Sequence, residues 1–414
     1  MAAGSGPVGK RVLVLDDSNV VRTLIRRVLT EQGYEVRENA SGENVERLID
    51  EFKPDVVVSD IMMPGRNGID VCRALQADPT TAEIPVILAS AKSFDADKRA
   101  ALSAGAAAYL VKPFTPDALL KTVANVLGRQ FGLTVWGCRG SIPSPERAWG
   151  KYGGNTSCVD LVLPGQRHFV FDAGTGIRIL GNDLISQSPL RIALFFTHYH
   201  WDHTQGLPFF KPLYVPGNEI HIYGPEDRDT AMSTTIANAM GGKYFPVSIE
   251  AFRASVRYVS LQEQTEPHDV LGVSVSTLET LHPGTTLAYR IEYGGRSVVY
   301  APDNELLPET CDPELDAEAL RIAEFAKGAT VLLHDCQYSQ QEYKMKRGWG
   351  HSCGDALAAV AAHAMPGRTV LFHHDPDHSD EQVEAIHTEF RAGLEKRGVT
   401  LQSECAREGS TLLL

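Results

Sequence analysis

Cysteine is scarce and unpaired in this chain: seven residues in 414, an odd number. They show no regular spacing, which excludes a disulfide framework, points to a reducing compartment and leaves the cysteines as small core residues. Long apolar runs are also missing. None approaches the roughly 20 residues that a membrane-crossing helix needs. The opening MAAGSGPVGKRVLVLDD has no apolar core of the kind a secretory leader carries. Cations are outnumbered, with 39 Lys and Arg against 52 Asp and Glu and a formal net charge of −13. That balance disfavours a broad electrostatic grip on nucleic acid or anionic lipid. No internal repeat, low-complexity tract or long linker is found. These absences leave a cytoplasmic globular protein, 43% hydrophobic and 22% charged. Its length suits two or three domains, each with its own core.

Residues 11–128 alternate strand-like and helix-like segments. RVLVLD, YEVREN, PDVVVSD, IPVILAS and AAYLVK read as strands, and helical patterns separate them and close the segment. Five strands interleaved with five helices predict a doubly wound parallel sheet of the flavodoxin-like (βα)5 kind, whose working crevice lies beyond the strands' carboxyl ends. After the short link GRQFG the pattern changes. Many short strands follow, among them HFVFDAG, RIALFFTH, TLAYRIEY, RSVVYAPD, ATVLLHD and TVLFHH, with helical stretches around 313–327 and 354–364. This predicts an α/β layered fold with two sheets, and a division into a domain over 1–128 and another over 129–414.

In the first domain Asp16 and Asp17 end the first strand, Asp60 the third, Ser90 the fourth and Lys112 the fifth. All five fall at one edge of the sheet, where carboxylates can hold Mg²⁺ and a lysine can neutralise charge on a transferring phosphoryl group. A single acid at a strand end is commonly a solvated or capping residue; five in register point to a site. LDDS, SDIMMPGRNG, ILAS and LVKPF closely resemble a two-component response-regulator receiver domain. The resemblance implies that Asp60 accepts a phosphoryl group from a histidine kinase or phosphotransfer protein. It assigns Asp16 and Asp17, with Asp60, to Mg²⁺, Lys112 to the phosphoryl group, Ser90 as the switch hydroxyl and Tyr109 as the aromatic that changes rotamer.

The second domain contains FFTHYHWDH, with His198 and His200 two apart at an expected strand end, so that both face one side, and Asp202 and His203 in the following turn. Imidazole and carboxylate suit Zn²⁺, Mn²⁺ or Fe²⁺, and the lack of cysteine disfavours a closed structural zinc. The cluster resembles the HxHxDH signature of metallo-β-lactamase-fold hydrolases, which implies an αββα sandwich. The same resemblance picks out His282 in TLHPGTT, Asp303 in VVYAPDNE, and His373 or His374 in TVLFHHDPDHSD. It implies His198, His200 and His282 on one metal, Asp202, His203 and His373 on the other, and Asp303 bridging. His373 is preferred because it follows LF directly, as in the ribonuclease Z branch. Two divalent ions, zinc first and manganese or iron as alternatives, would sit about 3.5–4 Å apart, activate water and clamp an in-line displacement.

VLLHDCQY and GWGHSC resemble paired motifs of ribonuclease Z-like phosphodiesterases. They suggest Asp335 and His351 as a hydrogen-bonded pair able to protonate a leaving alkoxide. Aspartate stands where that branch typically has glutamate, and a plain structural bond between loops is the other reading. Asp172 in FDAGTG is expected to support the metal ligands from beneath. GLPFFKPLYVPG and YFPV read as pocket walls or as ordinary loop packing. The long exosite arm of a tRNA-processing enzyme is not evident, which together with the acidic balance favours a small or cyclic phosphodiester over a nucleic-acid polymer. The expectation is a response regulator whose output is a dinuclear metal phosphodiesterase, with a second copy of the chain as an optional partner. Two alternatives stay open: a di-iron O₂ or NO sensor of the same fold, which typically has glutamate where this chain has His200, and a thioester or lactam hydrolase.

Overall fold

The computed structural model describes residues 10–414 except 79, 83, 93, 129–131, 146–149, 164–166, 227–230, 242–244 and 308–316. The chain divides into two compact units, and the main boundary falls just before Gly132. Each is described by itself.

The first unit has five strands: β1 (Arg11–Leu15), β2 (Glu35–Asn39), β3 (Val56–Asp60), β4 (Val86–Ser90) and β5 (Ala108–Val111). They lie in the order β2-β1-β3-β4-β5, all parallel. The sequences of β1, β3 and β4 are near-continuous apolar runs because helices cover both faces of the sheet. Val12, Val14, Val56, Val58 and Ile87 pack to one side, and Leu13, Leu15, Val57, Val86 and Leu88 to the other. The helix Asn19–Thr30 buries Ile25, Val28 and Leu29, the i, i+3, i+4 stripe that an amphipathic helix turns to a core. This is the flavodoxin-like fold expected from the alternation.

The second unit is built on two seven-stranded sheets. The first sheet contains β6 (Gly132–Gly137), β7 (Cys158–Leu163), β8 (Arg167–Phe171), β9 (Arg191–Phe195), β10 (Glu219–Pro225) and β11 (Ser255–Leu261). The second contains β12 (Gln264–Val270), β13 (Val273–Glu279), β14 (Leu287–Tyr293), β15 (Arg296–Ala301), β16 (Val331–Asp335), β17 (Arg368–Phe372) and β18 (Gln402–Cys405). The last strand, β19 (Thr411–Leu413), returns to pair antiparallel with β6. Between the sheets lies an aromatic layer: Phe171 sits 5.3 Å from Phe195 and 5.2 Å from Tyr300, Phe195 5.1 Å from Tyr289, and Tyr300 5.5 Å from Phe372, centroid to centroid. Such ring pairs contribute about 0.5–1.5 kcal/mol each beyond their burial. Helices close the outer faces, with Ile177–Leu184 and Met232–Ala239 over the first sheet and Ala317–Phe325, Gly354–Ala364 and Asp380–Lys396 over the second. This is the expected two-sheet α/β sandwich.

Three expectations need adjustment. The helix around 313–327 is seen as Ala317–Phe325, and 313–316 lie outside the described residues. The link 128–132 overlaps undescribed residues 129–131, and β6 begins at Gly132. β9 stops at Phe195, so His198 and His200 lie beyond the strand, and strand alternation is not what brings them together.

Candidate functional sites

At the carboxyl edge of the first sheet, Asp16 and Asp60 are buried and Asp17 is exposed. Lys112, one residue past β5, places Nζ 2.6 Å from Asp16 Oδ2 and 3.1 Å from Asp60 Oδ1. Burial raises the Asp60 carboxyl above its ordinary value against the opposing pull of Lys112. Ser90 is buried, and its Oγ accepts from the Lys92 backbone N–H at 3.2 Å, while Tyr109 donates its hydroxyl to the Lys92 carbonyl at 2.8 Å. One peptide segment thus connects the hydroxyl and the aromatic ring. The three carboxylates offer hard oxygen ligands suited to Mg²⁺.

In the second unit, side chains from four strand ends converge. The segment after β9 supplies His198, His200, Asp202 and His203, and its last part is a short helix, Trp201–Thr204. His282 follows β13, Asp303 follows β15, and His373 follows β17 directly. His198 Nε2 lies 2.8 Å from His200 Nδ1, and His282 Nε2 lies 3.2 Å from that same nitrogen. The two neighbouring histidines therefore approach through different ring nitrogens. His203 Nε2 is 3.3 Å from His373 Nε2, and both are 3.2 Å from Asp202 Oδ2. Asp303 faces both halves: Oδ1 lies 3.2 and 3.4 Å from His203 and His373, and Oδ2 lies 3.9 and 3.6 Å from His198 and His282. His374 turns away, donating Nε2–H to the Ala406 carbonyl at 2.9 Å with its ring edge-on to Tyr152.

The outer nitrogens fix the tautomers, because carboxylates and carbonyls can only accept. His203 Nδ1 donates to Asp172 at 2.8 Å, His282 Nδ1 to the Gly350 carbonyl at 2.9 Å, and His373 Nδ1 to Gln337 Oε1 at 2.9 Å. Thr197 Oγ1 donates to Asp172 and so accepts from His198 Nδ1 at 3.1 Å. Lone pairs are then what the inner Nε2 atoms present to one another and to two carboxylates. Asp303 Oδ1 is buried without a hydrogen-bond partner. A divalent cation on each side satisfies all of these acceptors, so the residues fit a pair of metal ions. Burial pulls His203 down, but Asp202, Asp303 and Asp172 hold its imidazole well above its ordinary value. Burial works against ionisation of Asp303, yet His373, His203 and His198 keep its carboxyl well below the usual range.

Asp172 is a hub beneath the cluster, since it also accepts from the Thr197 N–H at 2.8 Å and the Tyr300 hydroxyl at 3.0 Å. Asp335, at the end of β16 and fully buried, accepts from His351 Nδ1 at 2.6 Å and from the backbone N–H of Gln337 and Ser352. His351 stacks on His373 at 4.8 Å, with Nδ1 4.0 Å from Asp303. Burial lowers its affinity for a proton, but the Asp335 carboxylate outweighs this and pushes its pKa up to about 9.

Sequence reasoning missed Gln337, Ser141, whose N–H binds Asp202 Oδ2 at 2.7 Å, and the Gly350 carbonyl. Gln337 lies inside the VLLHDCQY motif, but the two backbone groups carry no residue-type signal. Leu207, Phe210 and Leu213 of GLPFFKPLYVPG are core residues. Tyr244 of YFPV lies outside the described residues, whereas Phe245 lines a cavity of about 520 Å³ with Tyr199, Trp201, Gln205, Pro208 and Met240. Among the described residues no helix is long and apolar enough to cross a membrane, and the six described cysteines are free and buried.

Comparison with known proteins gives matches to two family models. A response regulator receiver domain model matches residues 12–124, and a beta-lactamase superfamily domain model matches residues 167–374, half of the chain. Over 122 residues the chain is 37% identical to the phosphate regulon transcriptional regulatory protein PhoB of Pseudomonas aeruginosa, covering 30% of this chain and 53% of that protein. It is 36% identical over 120 residues to the DNA-binding response regulator MtrA of Mycobacterium leprae, covering 29% and 52%. The chain thus spans about half the length of the curated relatives it matches. Among solved structures, the metallo-beta-lactamase fold protein YhfI of Bacillus subtilis aligns with a TM-score of 0.49 at 20% identity, over 68% of this chain and 98% of that one.

Proposed function

From the premise that this chain belongs to the beta-lactamase superfamily and carries a response regulator receiver domain in front of it, we propose that it is a metal-dependent phosphodiesterase controlled by phosphorylation of Asp60. Its substrate on this reading is a small or cyclic phosphodiester. Asp60 takes a phosphoryl group from a histidine kinase or phosphotransfer protein, with Asp16 and Asp17 helping to hold Mg²⁺ and Lys112 balancing the added charge.

In the output domain His198, His200 and His282 would hold one divalent ion, zinc first, and Asp202, His203 and His373 the other, with Asp303, which faces both groups, completing them. Bound there, such ions polarise a phosphoryl oxygen and lower the pKa of a water molecule. The chain's own residues supply the rest. Thr197, Asp172, Gly350 and Gln337 fix each imidazole's tautomer and direction, a support whose loss costs roughly 10–100-fold in metal affinity or activity. Asp335 holds His351 by Nδ1, which leaves Nε2 to carry the transferable proton. Despite burial, the Asp335 carboxylate holds the His351 imidazole above its ordinary value, which favours the protonated form that a general acid needs.

The Asp335–His351 pair is the observation that carries this reading. A proton donor stacked on one of the metal-site histidines serves a leaving alkoxide and has no task in reversible gas binding. The test follows from leaving-group chemistry, because an alkoxide needs a proton and p-nitrophenolate does not. Replacing His351 by Ala is expected to lower kcat about 10²–10⁴-fold for an alkyl ester, and less for bis(p-nitrophenyl) phosphate, with metal content unchanged. Equal losses on both substrates would remove the general-acid role. Visible iron absorption with no phosphodiesterase activity would favour the di-iron sensor.

A further inference from the structure

Glu305 is a buried carboxylate two residues beyond Asp303. Three donors converge on it: the Tyr343 hydroxyl at 2.6 Å and the Gly348 N–H at 2.7 Å on Oε1, and the Gly350 N–H at 2.8 Å on Oε2. All three come from the segment 343–350, which leads directly into His351. The carbonyl of the same Gly350 accepts the Nδ1–H of His282. Carboxylate, peptide and imidazole therefore form a chain of hydrogen bonds ending at a metal-site ring.

A second arm reaches the same ring. The Glu305 backbone N–H donates to the Leu281 carbonyl at 2.7 Å, and Asn304 Oδ1 accepts from the Leu281 N–H at 3.1 Å. Leu281, the residue before His282, is thus held at both its carbonyl and its N–H by Glu305 and Asn304. The segment is tied to the Asp335–His351 pair as well. Ser352 accepts from the Leu306 N–H with Oγ, donates Oγ–H to the Asn304 carbonyl, and gives its N–H to Asp335. Gly350 has φ +87°, and a Cβ there would lie 2.3 Å from His282 Nδ1, so peptide and ring are packed without slack.

We infer that Glu305 is a positioning residue of the metal centre, fixing His282 and His351 in one register through the 348–351 loop. An ionised carboxylate accepts on both oxygens, which suits three donors. Glutamine cannot do this: its amide NH₂ faces either Gly350 or the Tyr343–Gly348 pair, donor against donor, and one side of the clamp opens.

The inference rests on the metal-centre reading, and its test reads metal binding apart from turnover. Zinc affinity of the full chain is measured by competition with a chromophoric chelator, for wild type and Glu305→Gln. Loss of affinity for one of two zinc equivalents is expected, about 10–100-fold, together with a fall in kcat that exceeds the change in KM. Tyr343→Phe removes one donor and keeps the carboxylate, so it should weaken the same equivalent by a smaller factor; it decides the matter by the same readout if Glu305→Gln fails to fold. Two bound zinc ions in wild type, with unchanged affinities in the variants and only a lower Tm, would overturn this inference alone. A wild-type chain that takes up no zinc would overturn the metal-centre reading and this inference with it.

Discussion

Gly140 has no side chain because His373 occupies the space. A Cβ there would lie 2.3 Å from His373 Cε1 and 2.4 Å from Nδ1, while the Gly140 N–H donates to the His374 carbonyl. The ring cannot yield, since Gln337 holds Nδ1 and Asp202 and Asp303 surround Nε2. His373 itself has φ +61°, a left-handed backbone uncommon for a non-glycine residue, and such outliers persist only where surrounding contacts over-determine them. Gly140→Ala is therefore expected to displace His373 and reduce bound zinc from two equivalents towards one in metal analysis of the folded protein. Two tightly bound equivalents would show that the loop relaxes at little cost.

At the scale of the elements, the end of β17 sorts two adjacent histidines to opposite fates. His373 turns into the cluster, and His374 turns onto Ala406 and Tyr152. Burial lowers the His374 pKa from an ordinary 6.5 to about 3, so the folded protein holds it neutral. The unfolded chain binds a proton there between those values. The stabilisation is thus complete above pH 6.5 and is lost as pH falls towards 3, with a slope of at most about 1.4 kcal/mol per pH unit. In chelator-treated protein, His374→Gln should flatten the fall of Tm between pH 6.5 and 4. An unchanged slope would locate the acid sensitivity elsewhere.

The same elements mark what the sequence could reveal. The run LF before His373 selected it over His374, and the five acidic, hydroxyl and lysine positions of the first sheet were legible because strand ends share an edge. The approach of His198 and His200 was expected for the wrong reason, because β9 ends at Phe195 and the segment beyond it, not strand alternation, brings the rings together. Gln337, Ser141 and Gly350 act through an amide or the backbone, groups whose partners depend on loops distant in the chain. Strands β12 and β18 carry mixed polar sequences, QTEPHDV and QSEC, with weak alternation; their pairing with β13 and β17 is decided by tertiary contact.

At the scale of the whole molecule, a receiver domain and a beta-lactamase superfamily domain share one chain. On the proposed reading, a phosphoryl group on Asp60 would meet Lys112 at the sheet edge and compete for Ser90, whose Oγ holds the Lys92 N–H that neighbours the Tyr109 contact. Such a switch changes output only by its differential interaction with two states, an effect of a few-fold to about 100-fold. Beryllofluoride with Mg²⁺ should change turnover, substrate affinity or oligomeric state in wild type and leave Asp60→Asn unaffected. An identical response of the two proteins would dissociate the receiver from control.

The central claim, that the histidine cluster is a hydrolytic metal centre, is tested most directly by turnover of bis(p-nitrophenyl) phosphate by the full chain loaded with zinc or manganese, beside His200→Ala under the same conditions. The expected result is metal-dependent hydrolysis by wild type, abolished by a chelator and by loss of His200. Undiminished turnover in His200→Ala, or none in a wild-type chain carrying two metal ions, would contradict it.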